Sequence, residues 1–264
     1  MVSFSLLKFQ EIVDKDNLAC SSFVFQDLPL VMGTALGNLL RQILLNHLSG
    51  IAPLAVEISD QNGPVKSKFS VLAGVAENGI TAYLILKLKE IILVEVNSAD
   101  QKEAGGFFTL RMNIENKTKK EKTITVADFS IPPQVEIKNP ELELAVLSPG
   151  GKLDLKMYCQ KNWGYHSEEE QKNHFLSQEN AIVFDTDYSP LKGGQVSFYT
   201  EPNKFQKKEK LTLNIQSRGW ITPFQALEQT LVITKNLFTS LNELLEKKVK
   251  VKKTTKAVLE GENR

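Results

Sequence analysis

From Gly33 to Leu45 the chain reads Gly-Thr-Ala-Leu-Gly-Asn-Leu-Leu-Arg-Gln-Ile-Leu-Leu, and its apolar positions recur at helical spacing. Successive residues lie about 100° apart around an α-helix, which gathers Leu36, Leu39, Leu40, Ile43, Leu44 and His47 on one broad stripe. Asn38, Arg41, Gln42 and Leu45 fall on the other side. A stripe that wide belongs against a core or another helix. A leucine set with Arg and Asn marks the second face as one that also meets something. The pattern predicts a helix over 33–48 with Gly50 as its left-handed cap, in a chain built for assembly rather than catalysis.

Loose alternation over 2–13 and 18–28, clearest at Ser21-Ser-Phe-Val-Phe25, predicts paired strands ahead of this helix. A strand over 52–58 follows it, closed by Asp60-Gln-Asn-Gly63. From there to about residue 178 the chain shifts to short alternating runs, at 107–114, 123–126, 135–137, 142–144 and 153–157. Gly105-Gly106, Pro132-Pro133 and Pro149-Gly150-Gly151 punctuate them as turns. Within this β-rich section 71–86 reads as helix and 91–96 as strand. The polar run 162–180 reads as a long surface loop, and strands return at 181–184, 195–199 and 211–216.

A second helix is announced by Thr222 as N-cap, Pro223 at the first helical position and Gln225 completing a capping box. Phe224, Leu227, Leu231, Thr234, Phe238, Leu241 and Leu245 then follow in steps of three and four. That alternation makes a seam of the helix-on-helix kind. About three heptads of it exceed what a helix needs to pack on its own sheet. Beyond Leu245 the lysine-rich run at 246–256 predicts an unfolded charged tail or linker over 246–264.

Composition narrows the function classes. A net charge of +1 on 264 residues argues against a protein whose main work is neutralising phosphates. The apolar opening is too short and too poor in basic residues for a signal peptide. The longest apolar stretch, 80–96, is interrupted by Lys87, Lys89 and Glu90, so no membrane span is expected. Cys20 and Cys159 suit free thiols in a reducing cytosol. A soluble, cytoplasmic chain is the expectation.

Candidate chemistry is sparse. His166 and His174 flank three glutamates, but the spacing fits neither a helical pair four apart nor a tight turn pair, so a solvated acidic loop is expected there. Asp185 and Asp187 could hold Mg²⁺ as paired carboxylates in a phosphate enzyme. No Gly-rich phosphate cradle accompanies them, and a structural or interface role is favoured. The chain contains neither a Gly-x-Ser-x-Gly elbow nor a P-loop. Lys247 to Lys256 lacks the interleaved aromatics of a specific nucleic-acid site and reads as solubilising. No metal, cofactor or catalytic residue is expected on this chain.

Leu36, Gly37, Asn38, Leu40 and Arg41, followed by Ile43-Leu-Leu45, match a signature of one family. Further matches follow in order: Thr123-Ile-Thr-Val-Ala-Asp128, Val135-Glu-Ile-Lys-Asn-Pro140, Trp163-Gly-Tyr165 and Asp185-Thr-Asp-Tyr-Ser-Pro190. Leu211-Thr-Leu-Asn-Ile215, Gly219-Trp-Ile-Thr-Pro223 and the long last helix complete the series. Over nearly all of residues 1–245 the chain thus resembles the N-terminal part of the α subunit of bacterial RNA polymerase.

The resemblance implies an α+β fold in which a dimerisation domain, two long helices on an antiparallel sheet, is interrupted by an inserted β-rich domain. The first would comprise 1–50 and 180–245, the second 51–179. It implies a noncatalytic subunit of a nucleotidyltransferase, a homodimer on which the β and then the β′ subunit assemble. The dimer would be made by Leu36, Leu39, Leu40, Ile43, Leu44, His47, Phe224, Leu227, Leu231, Phe238 and Leu241. Asn38, Arg41, Gln42 and Leu45 would face β; Lys89, Phe184, Asp185, Tyr188 and Pro190 would face β′. Two departures stand out. The family helix has two adjacent arginines, the second of which contacts β, where this chain has Gln42. Its C-terminal DNA-binding domain has no counterpart before Arg264, so DNA is expected only through the complex or through that absent domain. The rival in the same class is an archaeal or organellar α-like subunit, which pairs with a different chain.

Overall fold

The computed structural model describes residues 5–13, 19–76, 79–96, 107–175, 180–191, 193–203, 205–217 and 219–261. The chain opens with strands β1 (Ser5–Val13) and β2 (Ala19–Pro29), helix α1 (Met32–Asn46) and strand β3 (Ser49–Asp60). β4 (Gly63–Val65), α2 (Thr81–Lys89), β5 (Leu93–Glu95), β6 (Phe107–Glu115) and β7 (Lys122–Thr125) follow. Next come β8 (Val135–Ile137), β9 (Glu143–Leu147), β10 (Lys152–Trp163), β11 (Tyr165–His166) and α3 (Glu168–His174). The chain then adds β12 (Ile182–Val183), β13 (Thr186–Asp187), β14 (Val196–Asn203), β15 (Lys208–Ser217) and α4 (Pro223–Gly261). The fold is α+β.

Two antiparallel sheets organise the strands. One has the order β1-β2-β15-β14, so β2 and the last strand of the sequence, β15, meet at its centre. Alternation along β2 and β15 turns Phe23, Leu213 and Ile215 to one face, where they form a core with Leu40, Leu44 and Leu48 from α1 and Ala226 and Leu227 from α4. The other sheet runs β6-β10-β3-β5-β8, with β4 and β12 also paired to β3. Its larger core joins Val56, Met112, Leu155 and Met157 to Leu84 and Leu88 of α2. β3 leaves α1 directly and enters this second sheet, where β10 flanks it from Ser49 to Asp60.

Three glycines are set by close approach. A Cβ at Gly37 would lie 2.5 Å from Phe198 Cδ2, and one at Gly33 would press on the Glu209 carboxylate. Glu209 accepts a hydrogen bond from Gly33 N and so satisfies a free amide in the first turn of α1. At Gly50 a Cβ would stand 2.3 Å from the Tyr188 carbonyl oxygen. Gly50 is therefore a contact glycine inside β3 and does not cap the helix. α1 ends at Asn46, and the His47 amide donates back to Ile43.

The other differences from expectation have local causes. In 71–86 only the end is helical, because Val71 and Ile80 bridge as antiparallel partners and Gly74 turns at φ 82°. The polar run 162–180 is not simply loop, since β11 and α3 lie within it. Ser167 and Glu170 close a capping box there, a start signal without a hydrophobic period to accompany it. The lysine-rich segment after Leu245 is helical to Gly261 rather than unfolded, with neither Gly nor Pro to break it before that residue. The Gly105-Gly106 turn lies outside the described residues.

Candidate functional site: assembly surfaces

α1 lies on the first sheet with α4 beside it, and burial divides its residues differently from the simple two-face reading. Leu40 and Leu44 are fully buried and Ile43 nearly so, inside the chain's own core. These three cannot reach a second subunit as expected, because the sheet beneath them already takes up that side of the stripe. Leu36 and Leu39 are half-buried and His47 is exposed, which leaves them available at the edges. On the expected outer side, Asn38 and Gln42 are exposed. Leu45 is half-buried and packs on the core, while Arg41 directs its Nε to the Val196 carbonyl at 3.3 Å. Leu45 thus sits at the border of the outer side rather than in its middle.

Among its described side chains, α4 is held by its beginning. Thr222 Oγ1 accepts from the Gln225 amide, and Gln225 Oε1 accepts from the Thr222 amide, which completes the expected box. Ala226, Leu227 and Thr230 are buried against the body, so Leu227 serves the chain's own core instead of a partner. From 235 to 245 every described side chain is exposed. At ~1.5 Å per residue, the helix past Thr234 projects roughly 40 Å. Phe238 is 53% exposed and Leu245 63%, and Phe224, Leu231 and Leu241 are exposed with them. Val232, Leu237 and Leu244 widen the apolar strip and were not part of the expected seam. Their signal was present as apolar residues flanking the three-four steps.

The third surface is at the strand end 184–190. Lys89 Nζ meets Asp185 Oδ1 at 2.6 Å and stands 5.4 Å from the centre of the Phe184 ring. The Lys89 hydrogen bond holds the Asp185 carboxyl below its usual range, against the opposing pull of partial burial. These two residues border a small recess of about 170 Å³ with Ala52, Pro53, Thr186 and Asp187. Thr186 Oγ1 donates to the Pro53 carbonyl at 2.9 Å and ties this end to β3. Phe184, Tyr188 and Pro190, expected at a β′ surface, are instead interior. Tyr188 is 2% exposed, and its hydroxyl accepts from Gln171 Nε2 at 2.8 Å. Burial pushes the Tyr188 phenol up to about 12. Lys89 and Asp185 alone of that set remain accessible.

The alternative chemistry finds little geometry. Asp185 is occupied by Lys89, and Asp187 Oδ1 accepts from the Ser189 amide at 3.0 Å in a local turn. His166 Nε2 contacts the Trp163 carbonyl. Glu168 is bound by both Lys68 and Lys172, whose hydrogen bonds lower its carboxyl. Among the described residues no three His, Cys, Asp or Glu side chains converge on a point that would hold a metal. Both cysteines are free, and burial raises the Cys159 thiol. Among the described residues no helix is long and apolar enough to cross a membrane. The larger open groove, about 580 Å³ beside the β14–β15 hairpin, includes none of the expected site residues.

Comparison with known proteins finds relatives over most of the chain. Residues 56–189, just over half of the chain, match the family described as the RNA polymerase Rpb3/RpoA insert domain. The chain is 34% identical over 216 residues to the DNA-directed RNA polymerase subunit alpha of Thermus aquaticus, covering 81% of this chain and 63% of that one. It is 33% identical to the subunit alpha of Thermus thermophilus over 220 residues, 82% of this chain and 64% of that one. To that of Trichormus variabilis it is 27% identical over 247 residues, 92% and 72% of the two chains. The chain thus spans less than two thirds of the two Thermus relatives.

Proposed function

Because the chain belongs to the RNA polymerase α-subunit family, matching its N-terminal part, we propose that it serves as a homodimeric assembly platform for β and β′. The observation that carries this reading is the projecting stretch of α4. An apolar strip of Leu231, Phe238, Leu241 and Leu245 is exposed on a helix whose described side chains from 235 to 245 are all uncovered. Contiguous exposed apolar surface of this kind marks an interaction site. Its three-four spacing suits a second helix of the same type.

In this reading 1–50 and 180–245 make the dimerisation domain, and 51–179 the inserted domain. The two sheets and their separate cores support two domains, but β12 pairs with β3 and Ile182 and Phe184 belong to the second core, which favours an inserted domain running to about residue 189, the end of the family match. The homodimer would use the α4 strip together with Leu36, Leu39 and His47 at the edges of α1. The outer face of α1, with Asn38, Arg41 and Gln42, would take β. Lys89 and Asp185 would present the β′ contact, as an ion pair that partner groups can join or exchange. The chain contributes shape and docking to the polymerase, and the nucleotide chemistry belongs to the large subunits. Sedimentation of the purified chain, alone and with Leu231→Glu, tests the reading. A dimer is expected for the first and a monomer for the second; a monomeric native chain would overturn it.

A further inference from the structure

The exposed face of α1 is depleted of charge in a way a solvated helix is not. Among the helix's 15 residues Arg41 is the sole charged one, and it is half-buried with Nε turned to the Val196 carbonyl. Of its exposed positions, Met32, Thr34, Ala35, Asn38, Gln42 and Asn46, none is charged, and the last three form a row of amides, each four residues from the next. Such residues lie one above another on a helix, so the row extends about 12 Å at ~1.5 Å per residue.

The row is organised internally and leaves defined groups free. Asn46 Nδ2 donates to the Gln42 carbonyl at 3.1 Å and to Gln42 Oε1 at 3.0 Å. This ties the Gln42 side chain along the helix and leaves its NH₂ and the Asn46 Oδ1 without a hydrogen-bond partner among the described residues. Asn38 makes no side-chain hydrogen bond among the described residues. Surfaces meant for water carry Lys and Glu, and depletion of these charges is one compositional mark of an interface.

We propose that α1 recognises its large partner, β in the reading above, through uncharged hydrogen bonds between this amide row and neutral or main-chain groups, without an ion pair. The inference rests on the polymerase reading and adds the chemistry of the contact. A partner guanidinium set against this row would be desolvated without an opposite charge, which is strongly unfavourable, and the one nearby cation, Arg41, already donates through Nε to the Val196 carbonyl. A second copy of this chain is the poorer occupant. Permanent self-interfaces are more apolar, and α4 supplies such a surface. Gln42 is then matched to a partner with an amide or backbone group at the facing position.

The test is binding of the purified native chain to purified β at about 0.1 M and 0.6 M NaCl, with dimer mass checked at each. The dissociation constant is expected to change by less than about threefold, because uncharged contacts feel little screening. Gln42→Glu and Gln42→Arg are each expected to weaken binding by about tenfold or more, and Asn38→Ala by about fivefold, with the dimer intact. A tenfold loss with salt, or tighter binding by Gln42→Arg, overturns the proposal in favour of ion-pair docking. Indifference to all three substitutions overturns the location. If the native chain fails to bind β at either salt, the polymerase reading falls and the proposal with it.

Discussion

Replacing Gly37 with alanine separates two effects of opposite sign at the centre of the helix signature. In an open helix interior Gly→Ala stabilises by about 1 kcal/mol, since alanine loses less backbone freedom on folding. Here the new Cβ would lie 2.5 Å from Phe198 Cδ2, 2.6 Å from Cε2 and 2.9 Å from Cγ. Relaxation to ordinary carbon contact, about 3.5 Å, requires the ring or the helix to retreat by roughly 1 Å. The atoms struck include Cγ at the ring's root, so rotation about χ2 alone does not clear them. Overpacking of this kind costs about 1–3 kcal/mol, which exceeds the propensity gain. Gly37→Ala should therefore destabilise by about 1 kcal/mol. On a Phe198→Ala background, where the obstructing ring is gone, the same substitution should instead stabilise by about 1 kcal/mol. Urea unfolding followed by circular dichroism gives both values. Chain concentration must be held fixed, because the apparent stability of any self-associating chain depends on it. Stabilisation by Gly37→Ala on both backgrounds would refute the steric account.

Two further outcomes follow from single residues. Val31, 77% exposed, holds φ 72° at the start of α1, a left-handed conformation unfavourable to a β-branched residue. Val31→Gly should raise stability by about 1 kcal/mol in the same urea assay, and a loss of that size would show that its side chain does more than strain the turn. Tyr188 carries a pH signature. Its folded pKa of about 12 lies above the ordinary 10.0, so its contribution is complete below pH 10 and is lost as pH rises through 12. Two units correspond to about 2–3 kcal/mol. Tyr188→Phe should cost about 1 kcal/mol near neutrality through the Gln171 hydrogen bond and flatten the alkaline decline. An unchanged alkaline slope would remove Tyr188 as its source.

The sequence shows both long helices because each carries an uninterrupted apolar period, and α4 carries a start signal besides. Thr222, Pro223 and Gln225 placed the start of α4 to the residue. Period alone does not say what covers an apolar face. Leu40, Ile43 and Leu44 read as a surface for a second subunit, yet all three are buried in the chain itself, Leu40 and Leu44 in the core on the β2–β15 sheet. The α4 strip has the same spacing and no such cover beyond Thr234. Strand residues such as Phe184 and Tyr188 pose the same difficulty, since their burial comes from α2, α3 and β3, elements distant in the chain. α3 escaped a reading based on hydrophobic period because its residues are polar, although Ser167 and Glu170 had marked its start. Gly50 looked like a helix cap by position; only the approach of the Tyr188 carbonyl explains it.

The most direct test of the central claim is the mass of the purified chain in solution. Sedimentation equilibrium at about 10 µM, within the range where a stable interface is populated, should give twice the 29.6 kDa of one chain. Leu231→Glu and Phe238→Glu on α4 should return it to a single chain with its circular dichroism unchanged. A native chain that sediments as a monomer, or a dimer indifferent to both substitutions, would contradict the assignment of the projecting α4 strip to a second copy.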